Sequence, residues 1–94
     1  MSATSKYRET FLAVRALLQE HDPHGLMAKY GGDRFDDQIY GYEATTIIER
    51  LKNGASSASV EDVLSGLASK YGRAVNVGAS RNSAARIATA LGAL

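Results

Sequence analysis

The chain has 94 residues, of which 45% are hydrophobic and 22% charged, and its formal net charge is +1. A chain of that size makes one domain, residues 1–94, with a modest core and little room for a deep substrate pocket. It has no cysteine, which excludes disulfides, thiolate metal sites and thiol nucleophiles.

The first helix is expected from about Lys6 to Glu20. Tyr7, Phe11, Val14 and Leu18 recur at helical steps, Leu17 widens the stripe, and Ser5 is the expected N-cap. Pro23 disfavours right-handed helical geometry at Asp22, so the helix ends before it and Asp22 is expected to be extended. Asp22 then serves as N-cap of a short second helix, with Pro23 at its first position and Leu26, Met27 and Tyr30 on its apolar face. Gly31-Gly32 stops that helix. The polar stretch 33–38 reads as a loop with Phe35 tucked inward.

A third helix is expected from Tyr40 or Tyr42 to Asn53. Tyr40, Ala44, Ile47, Ile48 and Leu51 share a face, and Asn53-Gly54 is a C-terminal signal. Ser59 with Asp62 resembles a capping box opening a fourth helix, which carries Val60, Val63, Leu64, Leu67 and Tyr71 and stops at Gly72. Residues 73–78 read as a loop. The last helix is expected from Ser80 or Ser83 to Leu91, with a small face of Ala84, Ile87, Ala88 and Leu91. The fold class is therefore all-α, a compact bundle of four main helices plus a short connecting helical turn.

No motif with complete chemistry accompanies these elements. His21 and His24 are three apart, but Pro23 places them on different elements, so no metal site and no cofactor are expected. Asp33, Asp36 and Asp37 lack the order of a calcium loop, and no nucleophile-elbow pattern surrounds any serine. An enzyme is not expected.

The charge is unevenly distributed. Glu20 to Glu49 holds seven acids against Lys29 and Arg34, whereas after Asp62 only cations occur: Lys70, Arg73, Arg81 and Arg86. Such asymmetry marks a partner surface when it is exposed. Asp33, Asp36, Asp37 and Glu43, with Phe35 or Tyr42 as aromatic anchor, would form an acidic docking face for a protein with a basic surface. Lys70, Arg73, Arg81 and Arg86 offer the alternative, a nucleic-acid-binding regulator. The near-neutral total charge weighs against that alternative. The opening residues 1–9 lack the apolar stretch of a secretory signal, and no apolar run approaches the roughly 20 residues that cross a bilayer. A cytoplasmic protein without membrane partners is expected.

The runs Asp22-Pro23-His24-Gly25-Leu26, Asp33-Arg34-Phe35-Asp36 and Ile47-Ile48-Glu49-Arg50-Leu51 resemble a group of small bacterial helical domains. In that group Asp-Pro-x-Gly-(Leu/Ile) is followed by Asp-x-Tyr-Asp and by a helix with a leucine-rich end. Phe35 stands where the group prefers tyrosine. The resemblance covers residues 11 to 72 and implies a helical fold with Asp22 and Pro23 as a turn-and-cap device. Some similar small proteins are presumed toxin-immunity proteins, which implies an immunity or antitoxin-like inhibitor.

Overall fold

A computed structural model describes residues 3–32, 37–51 and 54–92. It contains five helices, α1 (Ala3–His21), α2 (Leu26–Tyr30), α3 (Gly41–Leu51), α4 (Ser57–Lys70) and α5 (Val77–Leu91), and no strand among the described residues. The four long helices close a ring in which α1 packs on α3 and α5, and α4 packs on the same two neighbours. This is the expected all-α bundle with its short connecting helix. No helix of the described residues is long and apolar enough to cross a membrane.

Periodicity explains the core. Val14 and Leu18 of α1, Ala44, Ile47 and Ile48 of α3, Val60, Leu64 and Leu67 of α4, and Ala84, Ile87 and Leu91 of α5 all face inward. The narrow face of α5 includes two buried serines, and Ser83 directs its hydroxyl to the Ser80 carbonyl at 3.1 Å. That bond satisfies the hydroxyl locally, so the small side chains let α5 approach α1 and α4 closely without an orphaned polar atom.

Several boundaries differ from expectation. Helix α1 begins before Lys6, so Ser5 lies within the helix rather than at its cap. The cap of α4 is Ser56, not Ser59: Ser56 Oγ accepts the Ser59 amide at 3.1 Å and Ser59 Oγ accepts the Ser56 amide at 3.0 Å. Serine at the third helical position thus does the work usually given to Glu or Gln. Helix α5 starts at Val77 because the Asn76 side chain accepts the Ala79 amide at 3.0 Å. The expected C-terminal signal at Asn53 lies outside the described residues, while the Gly54 amide does bond the Leu51 carbonyl at 3.1 Å.

The Asp22-Pro23 turn is the largest departure. Asp22 is not extended but left-handed, with φ of 52°. Aspartate and asparagine tolerate this region best after glycine. The Asp22 amide closes α1 on the Leu18 carbonyl, and its own carbonyl accepts the Gly25 amide, which makes residues 22–25 a turn with Pro23 second. Helix α2 therefore starts at Leu26 behind Gly25, and Pro23 is not helical. The capping role of Asp22 survives by a longer reach. Its carboxylate accepts the amides of Met27 at 2.8 Å and Ala28 at 2.9 Å, two donors that the helix start leaves unpaired.

Candidate functional site

The site is built where the Asp22–Gly25 turn, the start of α3 and the end of α4 meet. Tyr40, immediately before α3, is 1% exposed and left-handed, with φ of 69°. Its hydroxyl donates to Asp22 Oδ1 at 2.7 Å and accepts the His24 amide at 2.9 Å. On the other side of this segment, Gln19 of α1 donates to the Ile39 carbonyl at 3.0 Å, and Arg15 Nη1 donates to the Asp37 carbonyl. The approach to α3 is thus clamped to α1 by side chains one helical turn apart.

His24 is buried, 7% exposed. Its Nε2 lies 2.9 Å from the Leu64 carbonyl, and because a carbonyl only accepts, Nε2 carries the proton. Nδ1 is then the acceptor that faces Arg73 Nη1 at 3.4 Å. The imidazole is neutral in this arrangement. Burial pushes its pKa below the ordinary value, and the Arg73 charge pushes the same way, while the bond to Leu64 opposes them.

Arg73 arrives by a helix-ending turn. The Gly72 amide bonds the Ser69 carbonyl at 3.3 Å and the Arg73 amide bonds the Ala68 carbonyl at 2.7 Å, with Gly72 left-handed at φ of 64°. This pair of bonds is a Schellman motif, and it folds the chain back over α4. Arg73 Nη1 then donates to Glu43 Oε2 at 2.6 Å. The Glu43 side chain is only 5% exposed, and that of Arg73 is 26% exposed.

Asp22 is the other charged anchor. Burial acts to raise its pKa, but the Met27 and Ala28 amides and the Tyr40 hydroxyl together outweigh burial and hold it below the usual carboxylate range. Burial first, and the bond to Asp22 second, push the Tyr40 phenol well above its ordinary value. A partly buried polar floor results, in which Asp22 bonds Tyr40 and Arg73 links Glu43 with His24.

Over this floor runs a groove. One part, of about 410 Å³, lies between Tyr30, Ile39, Tyr42 and Tyr71. An adjoining part, of about 510 Å³, reaches His24, Lys29 and Gly72, and the two parts share Leu26, Tyr30, Tyr71 and Arg73. Tyr30, Tyr42 and Tyr71 are 53%, 52% and 45% exposed, so the groove presents three aromatic faces outside the core. Tyr42 meets Tyr71 edge to face at 6.1 Å. Lys29 lies 5.4 Å from the centre of the Tyr30 ring, Lys70 lies 5.5 Å from that of Tyr71, and the Arg73 guanidinium lies 4.8 Å from the same Tyr71 ring. The bond from Tyr71, and then the Lys70 charge, lower the Tyr42 phenol below its ordinary pKa.

The residues expected to dock a partner are distributed differently. Tyr42 is exposed and lines the groove, and Asp37 is exposed. Glu43 is not part of an exposed acidic face, because it is buried and paired with Arg73. Asp33, Phe35 and Asp36 lie outside the described residues. Of the cations considered for nucleic acid, Arg73 is engaged with Glu43, Arg81 lies 3.8 Å from Glu61, and Lys70 and Arg86 are exposed. Periodicity places Tyr30 and Tyr71 on the apolar faces of their helices. Both sit in the last turn or at the C-cap of their helices, where an apolar stripe runs past the end of the core.

The remaining polar groups offer little chemistry. Both ring nitrogens of His24 face partners, and Nε2 of His21 has no hydrogen bond although Glu20 lies 3.6 Å away. Among the described residues no group of three His, Asp or Glu side chains converges as a metal site would. No protein-family model matches the chain, and comparison with curated proteins and with solved structures found no match either.

Proposed function

We propose that this chain is a small protein-binding module that docks its partner in the tyrosine-lined groove, the mode of action open to an immunity or antitoxin-like inhibitor. The observation that supports this reading is the convergence of Tyr30, Tyr42 and Tyr71, each about half exposed, on one groove. Tyrosine brings a large amphipathic surface with few rotatable bonds, which is why it is enriched at binding interfaces. Covering three half-exposed rings removes about 300 Å² from water, a gross gain of about 7 kcal/mol. Association costs are of comparable size, so a specific complex also needs polar contacts at the rim. The buried pairs beneath the groove hold its walls in place before a partner arrives.

The alternative, a nucleic-acid-binding regulator, would need Lys70, Arg73, Arg81 and Arg86 to act on phosphates. Arg81 faces Glu61 and Arg73 is shared with Glu43, so of these four cations only Lys70 and Arg86 are fully available for counterion release. Protein binding is the better-supported reading.

Site-specific photo-crosslinking in the native host tests it. A crosslinking amino acid placed at position 42 or 71 should trap one recurring protein, and Tyr30→Ala should abolish that product. The same crosslinker at position 89 on α5 should trap nothing specific. Equal trapping at groove and α5 positions would remove the groove from consideration.

A further inference from the structure

Resting on that reading, we infer that the occupant of the groove is an acidic segment of the partner protein, an apolar side chain flanked by carboxylates, with Arg73 as the carboxylate receptor. The sign of charge here is opposite to the one the sequence alone suggested. Three cations stand around the tyrosines, Lys29, Lys70 and Arg73, each within 5.5 Å of a tyrosine ring centre. The single acid lining the described groove is Glu43, and Arg73 neutralises it at 2.6 Å.

Arg73 is suited to this task by the way it is held. Both of its side-chain hydrogen bonds use Nη1, one to Glu43 and one to His24. Its Nη2 and Nε bond no described residue, and the side chain stays 26% exposed where the two parts of the groove join. A guanidinium has five N–H donors in a rigid fork. Fixing Nη1 on a buried carboxylate leaves the Nε and Nη2 donors available for a second carboxylate. Stacking on Tyr71 restrains the plane of the fork further.

The tyrosine faces suit an apolar or aromatic side chain lying between two acidic ones. The two exposed lysines then contribute by steering and by rim attraction, which act more on encounter than on the lifetime of the complex. A nucleic acid is the weaker fit. Its affinity rises with the number of phosphates neutralised, and among the described residues the groove is lined by Lys29 and the partly engaged Arg73, with Lys70 beside Tyr71.

Peptide selection against the intact chain tests the inference. Phage-displayed random peptides are selected on the wild-type protein, with Tyr71→Ala protein used for counter-selection, and the consensus peptide is measured by fluorescence anisotropy. The expected consensus holds Asp or Glu beside an apolar residue. Its affinity should fall about tenfold or more in Lys29→Glu/Lys70→Glu protein whose circular dichroism and melting match the wild type. A consensus that requires Tyr71 but is neutral or basic, or that ignores the lysine reversal, would overturn the acidic assignment and leave the protein-binding groove standing. Failure to select any Tyr71-dependent peptide would overturn both. A labelled oligothymidylate that binds more tightly than the consensus peptide would replace the acidic segment by a nucleic acid.

Discussion

Replacing Arg73 by methionine removes the guanidinium while keeping an unbranched side chain to pack on Tyr71. Glu43, only 5% exposed, is then left buried opposite His24 without its 2.6 Å partner. Breaking a buried ion pair at one end costs about 3–5 kcal/mol, because an uncompensated charge stays in a poor solvent. The Arg73 side chain is 26% exposed, so water can enter its place and the cost falls at or below the lower end of that range, about 2–3 kcal/mol. For a domain of this size that lowers Tm by about 10–20 °C. Urea denaturation followed by circular dichroism at neutral pH measures the loss as a shift in midpoint at constant slope. Glu43→Gln in the same protein removes the stranded charge, and the Arg73→Met/Glu43→Gln double variant should return to within about 1 kcal/mol of wild type. A single Arg73→Met loss below about 1 kcal/mol, or strict additivity in the double variant, would refute the claim that this pair is a coupled element of the groove floor.

Three further outcomes follow from the same cluster and its turns. His24 has a depressed pKa in the folded chain, so the unfolded chain takes up the proton first, and stability present above pH 6.5 is lost progressively as the pH falls below it. Urea midpoints across that range should slope for wild type and flatten for His24→Gln. Tyr40→Phe should cost about 2 kcal/mol near neutrality, since Asp22 and the His24 amide both lose a partner. Because the Tyr40 phenol is raised when folded, wild type should also weaken above pH 10 through this group, and an alkaline urea series should show less of that decline in Tyr40→Phe. Gly72→Ala meets no atom within 4 Å but must hold φ of 64°, so it should lower stability by about 1 kcal/mol, whereas Gly66→Ala within α4 has open space and should raise it by about 0.8 kcal/mol. Thermal melts of the two variants should move in opposite directions.

The bundle was largely legible because its information is local. The stripes of Val14 and Leu18, of Ala44, Ile47 and Ile48, and of Val60, Leu64 and Leu67 repeat at helical spacing, and all of them are buried. The start of α5 was misplaced because Ala74-Val75-Asn76-Val77 mixes β-branched residues with an asparagine, and only the fold reveals that Asn76 caps Ala79. Ser56 and Ser59 present the same residue type three apart, so spacing alone does not say which one is the cap and which one reciprocates.

The groove was not legible for a different reason. Glu43 and Arg73 are 30 positions apart, and their meeting depends on how the end of α4 packs against the start of α3. His24 and Leu64 are 40 apart and pair only once the Asp22–Gly25 turn is laid over α4. A periodic pattern says that a tyrosine shares a face with core residues, but not that the core ends before it, which is the position of Tyr30 and Tyr71. The charge asymmetry was real in sequence, yet part of it is consumed internally where Glu43 neutralises Arg73.

One hydrogen bond outside the groove fixes how the two chain reversals relate. The Asn76 amide donates to the Pro23 carbonyl at 2.8 Å, while the Asn76 side chain caps α5. A single asparagine therefore couples the launching of the final helix to the corner between the first two. Loosening that corner would free the linker carrying Arg73 at its far end as well, so events more than fifty residues apart in sequence share one mechanical joint.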